Sequence, residues 1–286
     1  MFLWHALGIS LIALAIRSLK LSWVWVFLVA MSPAGMLNIL AGQNAFVTAA
    51  FISFAVTFAV RKPALSGISW AVLTMKPHLG LIAIPMVLVR KQWNVILYGA
   101  IAFGILIAAT ITVWGLDPWK GFFTFTTYQQ RFVLEDWRGL MLMLVPTAFM
   151  QGRVLNLGTQ GAYMLHAVVA LIATYLAIRA WPGKDWDVRD YLTWFVLSTF
   201  LILPYSFLYD LVIFQIVLAL WYRQAEQLFL IRKPYADAIW MFCWILPLLS
   251  PVLLAYTFIQ ITPILLAFML WQRGTAKRQG LAQQPA

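Results

Sequence analysis

Apolar residues fall in long runs along this chain, at 2–16, 21–40, 45–60, 64–89, 95–114, 162–178, 191–222, 238–250 and 252–271, with polar clusters between them. At about 20 apolar residues for each crossing helix, the pattern predicts an all-α, polytopic integral membrane protein of about ten helical segments. Two runs do not fit a single crossing. Residues 64–89 and 191–222 must each go out and return if the basic residues flanking them are to share one side, yet each is short for two full crossings. Both carry a helix breaker where the turn would fall, Lys76-Pro77 in the first and Leu203-Pro204-Tyr205-Ser206 in the second. Proline removes an intrahelical hydrogen bond and clashes with the preceding turn. Irregular backbone at membrane depth survives only against protein or water, so these bent tips predict a cavity.

The longest non-spanning stretch, about 115–159, is expected on the exterior. Asp117-Pro118 reads as an N-cap and first turn, after which Trp119, Phe122, Phe123 and Thr126 share a face, an amphipathic helix lying on the outer membrane surface. Residues 140–150, with Pro146, are too short to span and are expected over the cavity mouth. The chain reads as one transmembrane domain, 1–272, with a polar cytoplasmic tail at 273–286.

Composition supports the same class: 63% of the 286 residues are hydrophobic, 10% are charged and mean hydropathy is +0.86. Basic residues outnumber acidic ones 20 to 9. In a soluble protein that excess would suggest nucleic acid. Here the basic residues sit between apolar runs and read as topology signals, with membrane lipid, not nucleic acid, as their partner. Placing Arg17/Lys20, Arg61/Lys62, Arg90/Lys91, Arg179/Lys184/Arg189, Arg223/Arg232/Lys233 and Arg273/Lys277/Arg278 on the cytoplasmic side leaves Lys76, Lys120, Arg131, Arg138 and Arg153. The lone cysteine, Cys243, excludes a disulfide within the chain. Residues 2–16 lack a preceding basic region, so they are not a signal peptide. Met1 is expected to face the exterior, with further sequence upstream.

Eight acidic residues, Asp117, Glu135, Asp136, Asp185, Asp187, Asp190, Glu226 and Asp237, fall in loops or at helix edges. Asp210 instead lies just past a helix break inside an apolar run, where an ionisable group is costly and is functional or paired. Lys76 is the basic counterpart. The two are expected to pair and hold two hairpins together, to serve separately, the lysine on a phosphate and the carboxylate on sugar hydroxyls or orienting another residue, or to do both, since the readings are not exclusive. Gly42-Gln43-Asn44 reads as a turn whose Gln43 amide suits sugar hydroxyls or a phosphate at a cavity rim. His78 is either a second phosphate contact or a satisfied helix-end histidine; His5 and His166 have no supporting neighbours. There is no metal-ligand cluster, G-x-x-x-x-G-K-[ST] loop or G-x-S-x-G elbow, which argues against a metal site, ATP hydrolysis and serine-hydrolase chemistry.

The strings Asn38-Ile-Leu-Ala-Gly-Gln43-Asn-Ala-Phe, Arg61-Lys-Pro63 with Gly67, Lys76-Pro-His-Leu-Gly80-Leu with Arg90-Lys-Gln-Trp93, and Leu203-Pro-Tyr-Ser-Phe-Leu-Tyr-Asp210-Leu resemble glycosyltransferase family 87 in order and spacing. That family belongs to the GT-C superfamily and includes polyprenol-phosphate-mannose-dependent alpha-mannosyltransferases. The resemblance implies a GT-C-like fold and transfer of a hexose, often mannose, from a polyprenyl-phosphate sugar to a lipid-linked or cell-envelope glycan on the exterior face of the cell membrane. It implies no cofactor, the polyprenyl-phosphate sugar being a substrate. It assigns Lys76 and His78 to the donor phosphate, Gln43 and Asn44 to the sugar, and Tyr209 and Asp210 to shaping the cavity. The family's general-base aspartate is expected upstream of Met1, so no catalytic residue is assigned and this segment alone is expected to lack the base. Residues 134–141 depart from the family pattern. A transporter or flippase is the alternative expectation, since broken helices with an intramembrane Lys and Asp also build carrier sites, and a noncatalytic scaffold is the third.

Overall fold

The computed structural model describes residues 2–183 and 187–278; Lys184, Asp185 and the tail beyond 278 lie outside the described residues. Among the described residues the fold is all-α, with no strand. The N-terminal half contains α1 (Phe2–Ser18), α2 (Trp23–Ala30), α3 (Pro33–Leu40), α4 (Ala45–Phe58), α5 (Pro63–Val72), α6 (Ala83–Val89), α7 (Trp93–Trp114) and α8 (Asp117–Arg131). It continues with α9 (Ala148–Val154), α10 (Gly158–Arg179), α11 (Val188–Ile202), α12 (Val212–Trp221), α13 (Ala225–Phe229), α14 (Lys233–Thr257) and α15 (Ile261–Arg278).

Helices α7, α10 and α14 are each long and apolar enough to cross a membrane, and α2 with α3 forms a bent pair, at 58°, that passes together. The protein is therefore a membrane protein. Helix α7 is apolar on all sides and almost wholly exposed, a composition that only lipid accommodates. At the centre are α4, α11 and α12, whose residues are nearly all buried and which pack with α1 into the main core. Helices α5 and α7 cross where Gly67 faces Gly99: a Cβ on Gly67 would lie 2.6 Å from Gly99 N and 2.7 Å from Val95 O. Small residues let membrane helices approach backbone to backbone.

Both expected breaks are present. Helix α5 passes into a 3-10 turn at Leu73–Met75, Lys76 leaves helical geometry, and a second 3-10 turn at Pro77–Gly80 leads to α6. Helix α11 ends at extended Leu203; the chain re-enters a 3-10 turn at Leu208–Leu211 before α12, which folds back against α11.

Three boundaries differ from the sequence reading. The run at 21–40 is split at Met31-Ser32, because Ser32 caps α3 by accepting from Gly35 N (3.2 Å) and Pro33 occupies its first turn. The division at Pro251 is absent: α14 runs through Pro247 and Pro251 and ends at Phe258, whose φ is +59°. Neighbouring helices absorb proline kinks in membrane proteins. Arg273 does not begin a tail, since α15 continues to Arg278 and Arg273 is buried against Asp190.

Candidate functional site

The broken tips of α5 and α11 meet. Lys76 Nζ lies 2.6 Å from Asp210 Oδ1, with the Asp210 side chain 1% and the Lys76 side chain 14% exposed. The other carboxylate oxygen, Oδ2, accepts the Phe207 backbone N–H at 3.0 Å, so both oxygens of Asp210 are engaged. The ammonium also stands 5.0 Å from the centre of the Tyr209 ring. A primary ammonium has three donors. One is committed to Asp210, and its partial exposure leaves capacity toward the cavity it lines.

That cavity has a volume of about 620 Å³ and contains Lys76, His78, Gln43, Tyr209 and Asp210 in its wall. The sequence-based pairing of Lys76 with Asp210 is thus realised, and five of the six candidate site residues converge. Asn44 does not join them: it precedes α4 at the N-cap position, outside the lining. The capping there is done by Asn38, fully buried, whose Oδ1 accepts from Ala45 N at 2.7 Å. Gly42 adopts φ +63°, the turn conformation expected of it, and Gln43 is fixed through its backbone, its carbonyl accepting from Trp4 Nε1 at 3.2 Å and its N–H donating to Asn38 O. The Gln43 side chain remains available.

Both ring nitrogens of His78 are buried with no protein partner, and the ring packs edge-on to Tyr205 at 5.6 Å. Buried polar atoms are normally satisfied. Two unsatisfied nitrogens in a cavity wall are a feature that a ligand's oxygens or water would complete.

Tyr209, a candidate from the sequence, belongs to an aromatic wall whose other members, Trp137, Tyr205 and Phe207, sequence reasoning missed. Tyr205 packs against Phe207 at 5.3 Å, Phe207 stacks on Tyr209 at 4.9 Å, and Trp137 meets Phe207 at 5.8 Å. A signal was present for two of them: Tyr205 and Phe207 alternate across the non-helical segment around Pro204, and extended backbone sends alternate side chains to one side.

Helix α8 supplies a further part of the wall. It starts at Asp117, one residue earlier than an Asp117 cap would place it; Asp117 pairs with Lys120 at 3.0 Å. Phe122, Phe125, Thr126 and Gln129 line the cavity, with Phe125 still largely exposed, and Phe123 and Tyr128 are exposed outside the lining. Trp119 anchors the helix to α7 by donating to Thr110 Oγ1 at 2.9 Å. The amphipathic helix therefore contributes side chains to the cavity wall. From the 140–150 segment, Leu144 reaches the same cavity.

These features define a polytopic α-helical membrane protein with an ion-paired, aromatic-walled cavity where two broken helices meet. Comparison with known families refines this. The sequence profile of glycosyltransferase family 87 matches residues 1–204, about 70% of the chain, which therefore belongs to glycosyltransferase family 87 and is a membrane glycosyltransferase by family. The match includes Gln43, Lys76 and His78 and ends before Tyr209 and Asp210. No curated protein and no solved structure matches the chain significantly.

Proposed function

We propose that the cavity at Lys76 binds a polyprenyl-phosphate hexose, with mannose as the favoured sugar, and that the protein transfers the hexose to a lipid-linked or cell-envelope glycan on the exterior side of the cell membrane. The observation that carries this reading is the buried Lys76–Asp210 pair in the wall of an open cavity that an amphipathic helix also lines. In the transfer, the acceptor hydroxyl oxygen bonds to the anomeric carbon and gives up its proton to water as the bond to the phosphate oxygen breaks, and polyprenyl phosphate leaves with the electron pair. Negative charge grows on the phosphate. Lys76, held in place by Asp210, would stabilise it without rearrangement, the arrangement in which fixed charges are most effective.

His78 would offer a ring nitrogen to the same phosphate, and Gln43 would bond sugar hydroxyls at the rim. Tyr205, Phe207 and Tyr209 would pack against the apolar face of the sugar or the first isoprene unit. Asp210 acts through Lys76 and is a positioning residue. Among the described residues it is the one carboxylate in the cavity lining, and its two oxygens are taken. Family membership favours transfer over the transporter and scaffold alternatives.

The test is transfer of radiolabelled hexose from polyprenyl-phosphate hexose to extracted membrane glycolipid by the protein in proteoliposomes. Lys76→Met is expected to lower the rate about 10²–10³-fold, the effect of losing one fixed group from the site of growing charge. An unchanged rate would overturn the assignment of Lys76 to the donor.

A further inference from the structure

A second cavity of about 730 Å³ lies at the other end of the helix bundle. Helices α1, α4, α5 and α11 each begin or end at both places. Trp4, near the start of α1, bonds Gln43, while Lys20 follows its end. Helix α4 starts beside Gln43 and ends at Phe58, and α5 runs from Pro63, next to Arg61, toward Lys76. A helix of this length, 14 residues in α4, separates its ends by about 21 Å. The second cavity is therefore distinct from the Lys76 site.

Its wall carries four cations from four different chain segments, Lys20, Arg61, Arg90 and Arg189, against one carboxylate, Asp187. Arg90 stacks over Tyr191 at 3.7 Å, and an adjoining cavity shared through Arg90 and Tyr191 adds Lys91. Arg189 is braced: it donates to Gln224, lies over Trp221 at 4.2 Å, and has an ion-pair contact of 3.6 Å with Asp187. Even so, Arg189 Nε is buried without a partner, as is the hydroxyl of Thr57 in the same wall. Among the described residues, neither Lys20 nor Arg61 forms a salt bridge or side-chain hydrogen bond. The remaining wall, including Leu21, Val56, Val60 and Leu220, is apolar.

Converging cations with unmet donors, set on an apolar slope, are what a phosphate on an acyl-chain-bearing molecule requires. We propose that this cavity binds the phosphate group of an anionic phospholipid headgroup, with Lys20, Arg61 and Arg189 on the phosphate and the apolar slope against the proximal acyl chain. Membrane-surface basic residues attract anionic lipid in general. This site differs in being a concave pocket whose donors come from turns and helix ends far apart in the chain, so lipid binding would clamp the ends of α1, α4 and α11 together. The inference does not depend on the donor reading.

The experiment measures binding of phosphatidylglycerol, phosphatidylcholine and inorganic phosphate to the full chain in neutral-lipid nanodiscs, by native mass spectrometry and by thermal shift. Lys20→Gln/Arg61→Gln removes two cations that brace nothing. Phosphatidylglycerol should bind and raise the unfolding temperature in the parent, and the double variant should lose about thirtyfold in affinity, at about fivefold per basic residue. Lys62→Gln, one residue from Arg61 but outside the lining, should bind as the parent does. Should the double variant fail to fold, Thr57→Val, which removes the unmet hydroxyl, should still weaken phosphatidylglycerol over phosphatidylcholine. Saturation by inorganic phosphate with no added gain from phosphatidylglycerol would overturn the lipid headgroup in favour of a free anion. Equal phosphatidylglycerol affinity in parent, Lys20→Gln/Arg61→Gln and Lys62→Gln would overturn the site altogether.

Discussion

Replacing Lys76 by methionine tests structural and functional roles of the same ion pair, and the two can be separated by where the charges sit. The Asp210 side chain is 1% exposed, so Lys76→Met leaves a carboxylate with almost no access to water. Breaking a buried pair from one side costs about 3–5 kcal/mol, because the surviving charge is uncompensated. Asp210→Asn is milder. The Lys76 side chain keeps 14% exposure at the cavity wall, and the amide still accepts from Phe207 N, so the loss is about 1–2 kcal/mol. Lys76→Met/Asp210→Asn removes both charges, and replacing a whole buried pair is often near neutral, so stability should return to within about 1–2 kcal/mol of the parent.

The ordering of unfolding temperatures in nanodiscs should therefore be parent, then Asp210→Asn and the double variant, with Lys76→Met lowest. Transfer should follow a different order. The double variant recovers stability yet stays about 10²–10³-fold below the parent in hexose transfer, since the fixed cation at the phosphate is gone. If Lys76→Met unfolds at the parental temperature, the burial argument is wrong. A double variant with parental transfer would refute the donor role while leaving the structural pairing intact.

Three further outcomes are expected. Gly67→Ala should destabilise by about 1–3 kcal/mol, because its Cβ would meet backbone at 2.6 Å, while Gly99→Ala, whose nearest neighbour is Gly67 O at 3.4 Å, should cost much less; thermal unfolding of the two variants distinguishes them. Asp190→Asn leaves Arg273, 5% exposed, without its carboxylate and should cost about 3–5 kcal/mol, with Asp190→Leu/Arg273→Leu restoring much of it in the same measurement. Cys243 is fully buried, so cysteines at Ala41 and Lys62 can be labelled against a silent background; a membrane-impermeant maleimide should modify Ala41→Cys from the exterior and Lys62→Cys only after permeabilisation, and labelling of both from one side would refute the sidedness proposed for transfer.

Much of the architecture was legible because the bilayer makes two errors expensive, polar residues in lipid and unsatisfied backbone. The apolar runs announce helices, and Lys76 and Asp210 stand out because neither belongs in such a run. What was not legible is pairing over distance. Asp190 and Arg273 are 83 positions apart, one at a helix edge and the other where composition turns polar, so each has an innocent local reading. Periodicity reports the face a segment presents and not what covers it, which is why α8 reads as a surface helix although Phe122, Thr126 and Gln129 line a cavity. Asn38 was hidden for the same reason, since the helix it caps begins seven residues later.

The breaks themselves sort into two kinds, and the difference explains why only one place became a site. An interrupted helix frees backbone groups that must find partners inside the protein. At 31–33 a serine suffices, and at 258–260 Gln151 and Thr257 bond the freed groups, Gln151 reaching both Phe258 O and Gln260 N. Neither break holds a charge. At 203–207 the Pro204 carbonyl accepts from Thr147 Oγ1 at 3.0 Å and Ile202 O from His166 Nε2 at 3.0 Å, which gives His166 a structural purpose; the Phe207 N–H goes to Asp210. That last partner is a carboxylate, and a carboxylate so deeply buried demands a cation. Lys76 supplies it from the other break, so one unsatisfied amide, one buried acid and one lysine with spare donors follow from each other. The charge that could have been replaced by a hydroxyl or an amide, as at the other breaks, is the part of the arrangement that stability alone does not call for.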